Sequence, residues 1–85
     1  MQSVTIYTTM LCPYCHMAKR LLKEKGVAYE EINVSRSADR EKMRARAGGK
    51  NTVPQIFIGE THVGGCDELH ALERDGTLDG LLQRA

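Results

Sequence analysis

The chain has 85 residues, enough for one domain, expected to span residues 1–85. A domain of that size buries only about two-thirds of its unfolded surface, so its core is thin. Hydrophobic residues at 41%, charged residues at 27% and a net charge of +1 exclude a disordered chain and leave no strong field for nucleic acid or an anionic membrane.

No apolar run approaches the roughly 18 residues of a membrane span. The opening "MQSVTIYTTM" lacks the basic start and apolar stretch of a secretory signal, so a cytoplasmic location is expected. Cysteines in such a chain point to catalysis or metal binding rather than to a structural disulfide framework.

In chain order, "SVTIYT" sets Val4 and Ile6 against Thr5 and Tyr7 and reads as a strand. From Pro13 the period changes: Tyr14, Met17, Ala18, Leu21 and Leu22 recur at helical spacing until Gly26. Pro13 suits a first helical turn, where its missing N–H would have no partner anyway. "VAYEEINV" reads as a second strand, and the βαβ unit so formed implies parallel neighbours joined by a right-handed crossover. Ser37 is expected to cap a polar helix running to Ala47, with Asp39 and Glu41 in its first turn and Gly48 and Gly49 after it. The basic residues Arg36, Arg40, Lys42, Arg44 and Arg46 in this stretch are interrupted by the acids and read as a solvated face.

"QIFI" is a short buried strand, and "GETH" turns into another around His62 and Val63, forming a hairpin. Asp67 to Asp75 carries Leu69 and Leu72 at helical spacing and stops at Gly76. Thr77 can cap a last short helix that holds Leu78, Leu81 and Leu82. The order β-α-β-α-β-β-α-α predicts an α/β fold: one mixed four-stranded sheet with helices on both faces.

This map places Cys12 of "CPYC" just after the first strand and just before the first helix. A helix N-terminus carries unbonded N–H groups and about half a positive charge, which favours an anion such as a thiolate. The thiolate is the form that attacks disulfides, so the position suits a nucleophile. Cys15, one turn in, can reach back to Cys12 but is expected to be more buried and less acidic, as a resolving thiol would be. Rival uses of C-x-x-C fit less well. Structural zinc needs four ligands, usually from two such pairs, and here there is one pair with distant Cys66, His16, His62 and His70. His16 completes a C-x-x-C-H haem spacing, but the chain is strand-rich, with one phenylalanine and no tryptophan. An exposed helix residue is the simpler reading of His16. C-x-x-C beside a βαβ unit is a thioredoxin-like redox motif.

Two later stretches bear on the same chemistry. In "NTVPQIFIG", Pro54 precedes a strand, where it is either an ordinary trans edge proline or a cis Val53–Pro54 bond presenting the Val53 backbone to an extended substrate. In "VGGCDEL", two glycines lead into a helix start bearing Asp67. The N–H groups there could hold a carboxylate, or Asp67 could simply cap the helix.

Together "CPYC", "TVPQIFIG" and "GGCDEL" resemble a dithiol glutaredoxin of the short bacterial type, over essentially the whole chain and in the family's order. The resemblance implies a thioredoxin-like fold, a cis Pro54 and glutathione as co-substrate. Cys12 would then be the nucleophile and Cys15 the resolving thiol. Tyr14 would flank the tripeptide, and Thr52 and Val53 would line its groove. Gly65, Cys66 and Asp67 would hold its γ-glutamyl end. Lys50 would meet the glycine carboxylate, a charge-assisted contact worth roughly 1.5–3 kcal/mol. The implied function is glutathione-dependent reduction of disulfide-containing and glutathionylated proteins by a monomer, with no metal expected. A glutathione-ligated [2Fe–2S] carrier is the alternative. One departure stands out: where many members carry a lysine shortly before the first cysteine, this chain reads Thr8, Thr9, Met10, Leu11, so any helping cation must be Lys19 or another base. Cys66 reads as a small, half-buried apolar residue beside the groove, or as a regulatory thiol.

Overall fold

The computed structural model describes residues 2–83. Its elements are β1 (Val4–Thr8), α1 (Pro13–Glu24), β2 (Tyr29–Asn33), α2 (Ser37–Arg46), β3 (Gln55–Ile58), β4 (Thr61–Gly64), α3 (Cys66–Arg74) and α4 (Leu78–Gln83). The order is the one the sequence predicts, and the strands form one mixed sheet in the order β2-β1-β3-β4. β1 runs parallel to β2, with Val4 opposite Tyr29, and antiparallel to β3, with Ile6 opposite Ile56. β3 pairs antiparallel with β4 through an irregularity between Ile56 and Phe57.

Strand alternation sends the two halves of each central strand to different cores. Val4, Ile6, Ile56 and Ile58 meet Ala18, Leu21 and Leu22 of α1, Leu69 of α3, and Leu78 and Leu82 of α4. On the opposite face Tyr7 and Phe57 meet Val34, Met43 and Ala47, the side covered by α2. Tyr7 and Phe57 pack edge to face at 5.8 Å, and the Arg46 guanidinium carbon lies 4.1 Å from the Phe57 ring centre.

α1 buries Cys15, Ala18, Leu21 and Leu22 along one stripe. It ends where Gly26 takes φ +72°, a conformation that costs glycine nothing. The expected caps of two other helices are corrected. Arg36, not Ser37, is the residue before α2; its extended backbone lets its carbonyl accept from the Arg40 N–H at 3.0 Å, so Ser37 is already helical. Thr77 does precede α4, but its hydroxyl is drawn to the Asp75 carboxylate rather than to the helix. Among the described residues no helix is long and apolar enough to cross a membrane.

Candidate active site

β1 delivers the chain to a short loop whose last residue, Cys12, is the cap of α1. With an extended backbone (φ −137°, ψ 99°), Cys12 turns its side chain over the first helical turn. Its Sγ accepts from the Cys15 N–H at 3.2 Å, the bond a serine or aspartate cap would normally take. The same sulfur lies 3.8 Å from the Val53 carbonyl oxygen, to which its S–H can donate. Cys12 is 7% exposed and Cys15 is wholly buried. Burial, then the contact with Cys12, pushes the Cys15 thiol up to about 12. All three cysteines are free thiols.

Beside Cys12 lies a groove of about 150 Å³, lined by Tyr14, Thr52, Val53, Pro54, Gly65, Cys66, Asp67 and Glu68. Three segments distant in sequence meet there: the first turn of α1, the approach to β3 and the start of α3. The Val53–Pro54 peptide is cis. The two glycines before α3 both make room for Glu68. Gly64 has φ +112°, and a Cβ there would lie 2.9 Å from Glu68 Oε1; a Cβ on Gly65 would lie 3.2 Å from the same oxygen. α3 then opens at Cys66, with Gly65 as its cap. The reading of Asp67 as cap is therefore not what is seen: Glu68 reaches back and accepts from the Gly65 N–H at 2.6 Å. The N–H groups of Cys66 and Asp67 sit in the first turn, where no intrahelical acceptor exists.

A family model described as glutaredoxin matches residues 4–63. The chain belongs to the glutaredoxin family. It is 58% identical over 82 residues to a glutaredoxin of Pseudomonas aeruginosa, covering 96% of this chain and 98% of that one. The solution structure of a Brucella melitensis glutaredoxin is 54% identical, with a TM-score of 0.85 over 98% of this chain and 90% of that one. A crystal structure of a buckwheat glutaredoxin–glutathione complex is 33% identical, with a TM-score of 0.82, over 93% and 74% of the two chains. The fold is thus the thioredoxin-like fold of glutaredoxins, whose general activity is glutathione-dependent thiol oxidoreduction.

In this glutaredoxin the groove gathers every residue expected to contact glutathione except one. Lys50 is exposed on the segment between α2 and β3 and is not part of the groove wall. Lys19, the candidate replacement for the missing cation, is held by Glu31, with Nζ 3.0 Å from Oε2. The Thr8 hydroxyl donates to the same oxygen at 2.7 Å. Thr8 and then Lys19 hold the Glu31 carboxyl below its usual range.

Sequence reasoning missed Glu68 and a buried polar chain behind Thr52. Gln55 is 1% exposed, and its amide nitrogen donates to the Thr52 carbonyl (3.0 Å) and hydroxyl (3.1 Å). With its nitrogen so used, its oxygen accepts from His62 Nε2 at 2.6 Å. His62 in turn stacks on Phe57 at 4.7 Å. The one available signal was a glutamine opening an apolar strand directly after Pro54. Cys66 is 5% exposed, its Sγ is 3.4 Å from His70 Nδ1, and burial first, then Asp67, raises its thiol. Among the described residues no group of three or more histidines, cysteines or carboxylates is arranged to hold a metal ion.

Proposed function

We propose that this glutaredoxin reduces glutathione mixed disulfides and protein disulfides through Cys12, with glutathione as the electron donor. One observation carries the reading. The Cys12 sulfur caps α1, accepts the Cys15 N–H, and lies against the carbonyl of Val53, a residue of the groove wall. The helix end and the Cys15 N–H thus face the sulfur that attacks in disulfide exchange.

The chemistry follows from disulfide exchange. Cys12 thiolate attacks the glutathione sulfur of a mixed disulfide. The Cys12–glutathione bond forms, the substrate S–S bond breaks, and the substrate leaves as a thiolate that takes a proton from water. A second glutathione thiolate then attacks the bound glutathione sulfur, releasing glutathione disulfide and regenerating Cys12. With a protein disulfide, Cys12 thiolate first attacks one substrate sulfur, breaking the substrate S–S bond; Cys15, giving its proton to the thiolate so released, then attacks Cys12, breaking the Cys12–substrate bond, closing the Cys12–Cys15 disulfide and freeing the reduced protein. Two glutathiones then reduce that pair. Keeping Cys15 buried and protonated until Cys12 is occupied limits premature closure.

Within the groove, the first N–H groups of α3 suit the γ-glutamyl carboxylate, and Asp67 suits its ammonium group. The Val53 backbone suits the cysteinyl amide, and Tyr14 flanks it. Lys50, exposed on the segment before β3, is the cation assigned to the glycine carboxylate. The reading includes a cytoplasmic monomer, because a reducing glutathione pool is what recycles it. The Pro13–Tyr14 pair and the second thiol favour redox exchange over cluster carriage, so anaerobically purified protein is expected to be colourless.

Trapping tests the reading. Cys15→Ser treated with glutathione disulfide is expected to carry one glutathione, on Cys12, by peptide mass mapping. An adduct found on Cys66 instead, or none, would remove Cys12 from the role of nucleophile.

A further inference from the structure

Gln55 and His62 lie behind the groove rather than in its wall. Gln55 opens β3 and is 1% exposed; His62 is half-buried on the neighbouring strand β4, with its ring stacked on Phe57. Disulfide exchange at Cys12 uses neither. An amide side chain has two unlike ends, a nitrogen that donates and an oxygen that accepts. Here the Gln55 nitrogen is taken up by Thr52, donating to its carbonyl at 3.0 Å and its hydroxyl oxygen at 3.1 Å. The Gln55 oxygen is left for His62 Nε2, 2.6 Å away, so Nε2 carries the ring hydrogen. With that bond made, no buried side-chain nitrogen or oxygen among the described residues lacks a partner. In the other tautomer an unprotonated Nε2 would accept from an amide N–H, and Gln55 would turn over. Its oxygen would then face the Thr52 carbonyl, which would lose its donor. The tautomer of His62 therefore decides which end of Gln55 meets Thr52.

We propose that His62 is a positioning residue for glutathione: acting through Gln55, it sets the Thr52 hydroxyl as a hydrogen-bond donor to the groove. The proposal rests on the reading of that groove as the glutathione site. A hydroxyl has a single hydrogen. While the Thr52 oxygen accepts from Gln55, that hydrogen is free to donate to a ligand in the groove, whose wall Thr52 forms. With the amide turned over, the hydrogen is drawn back to the Gln55 oxygen, and Thr52 offers the groove only lone pairs. Glutathione brings carbonyl and carboxylate oxygens, which accept. The order of donors from His62 to Gln55 to Thr52 thus matches the polarity of the ligand, and one ring hydrogen outside the site fixes it.

Two measurements on the full chain test this. Nitrogen NMR of the His62 ring at about pH 8, above the ordinary histidine range, reads the tautomer. Hydrogen on Nε2 is expected; hydrogen on Nδ1 alone overturns the proposal. The second measurement is the KM for glutathione, with kcat, in reduction of the glutathione–mercaptoethanol mixed disulfide. His62→Phe keeps a ring against Phe57 but has no N–H. It is expected to raise the KM about fivefold, the factor for one neutral hydrogen bond, with kcat within about twofold of the wild type. His62→Gln restores an N–H donor and is expected to return the KM to within about twofold of the wild type. Adding His62→Phe to Gln55→Leu is expected to raise the KM no further than Gln55→Leu alone. An unchanged KM in His62→Phe, an equal rise in His62→Gln, or additive rises in the double variant overturns the proposal. Should His62→Phe fail to fold, the tautomer and the His62→Gln kinetics decide. No turnover by the wild type would mean that the glutathione reading itself has failed, an outcome kept apart because the tautomer is read without turnover.

Discussion

Cys15 is wholly buried, with its thiol pushed up to about 12, while Cys12 three residues earlier is 7% exposed and contacts Val53 of the groove wall. At neutral pH, iodoacetamide is expected to label Cys12 well before Cys15, as read by peptide mapping; equal labelling would contradict the division of roles. The raised value also sets a pH dependence for stability. In the unfolded chain the Cys15 thiol ionises near 9.0, while in the fold it stays neutral up to about 12. Its contribution is therefore whole below pH 9.0 and is lost as pH rises toward 12. Gln55 supports the groove from behind through its two bonds to Thr52. Gln55→Leu keeps the packing but drops those bonds, and is expected to raise the KM for glutathione severalfold with kcat little changed. An unchanged KM would show that the Thr52 wall does not depend on them.

At the level of elements, the start of α3 is the part of the groove with the most exposed charge chemistry. Asp67→Ala is expected to raise the glutathione KM by about tenfold, the loss of one charge-assisted contact. Lys50→Ala is expected to have the smaller effect, since Lys50 lies outside the wall; the reverse order of KM values would relocate the ammonium and carboxylate contacts. The elements themselves were legible. Period-2 alternation at Val4 and Ile6, helical spacing from Tyr14 to Leu22, and Gly26 as a stop are local signals, and the structure follows each. Caps were less legible because several polar groups compete for each helix end. Glu68 took the role open to Asp67, and the Thr77 hydroxyl went to Asp75. At the site, contiguous motifs were readable and long-range partners were not. "CPYC" shows its thiols directly, whereas the contact of Cys12 with Val53, 41 positions away, and that of His62 with Gln55 exist only once β3 lies in the sheet between β1 and β4.

Across the whole molecule, two separate cores hold one sheet between helices, and the site sits where the ends of α1, α3 and the β3 approach converge. Lys25 ties α1 to the two C-terminal helices, with Nζ 2.7 Å from Glu73 and 2.9 Å from Asp79. Those two hydrogen bonds raise its pKa, so their help is present below the ordinary lysine value of 10.5 and fades as pH climbs past the folded one. In so thin a core each buried side chain matters. Leu22→Ala, at a wholly buried site, is expected to cost about 2–5 kcal/mol in urea unfolding, a large share of the roughly 5–15 kcal/mol typical of a domain. A shift under about 1 kcal/mol would mean that α1 is not held by that core.

The central claim is that Cys12 alone is essential for glutathione-linked exchange and that Cys15 serves only dithiol chemistry. Its most direct test is reduction of the glutathione–mercaptoethanol mixed disulfide, coupled to glutathione reductase and NADPH, in wild type, Cys12→Ser and Cys15→Ser. Turnover is expected to survive in Cys15→Ser and to vanish in Cys12→Ser. Loss in both variants alike, or survival in Cys12→Ser, would contradict the account.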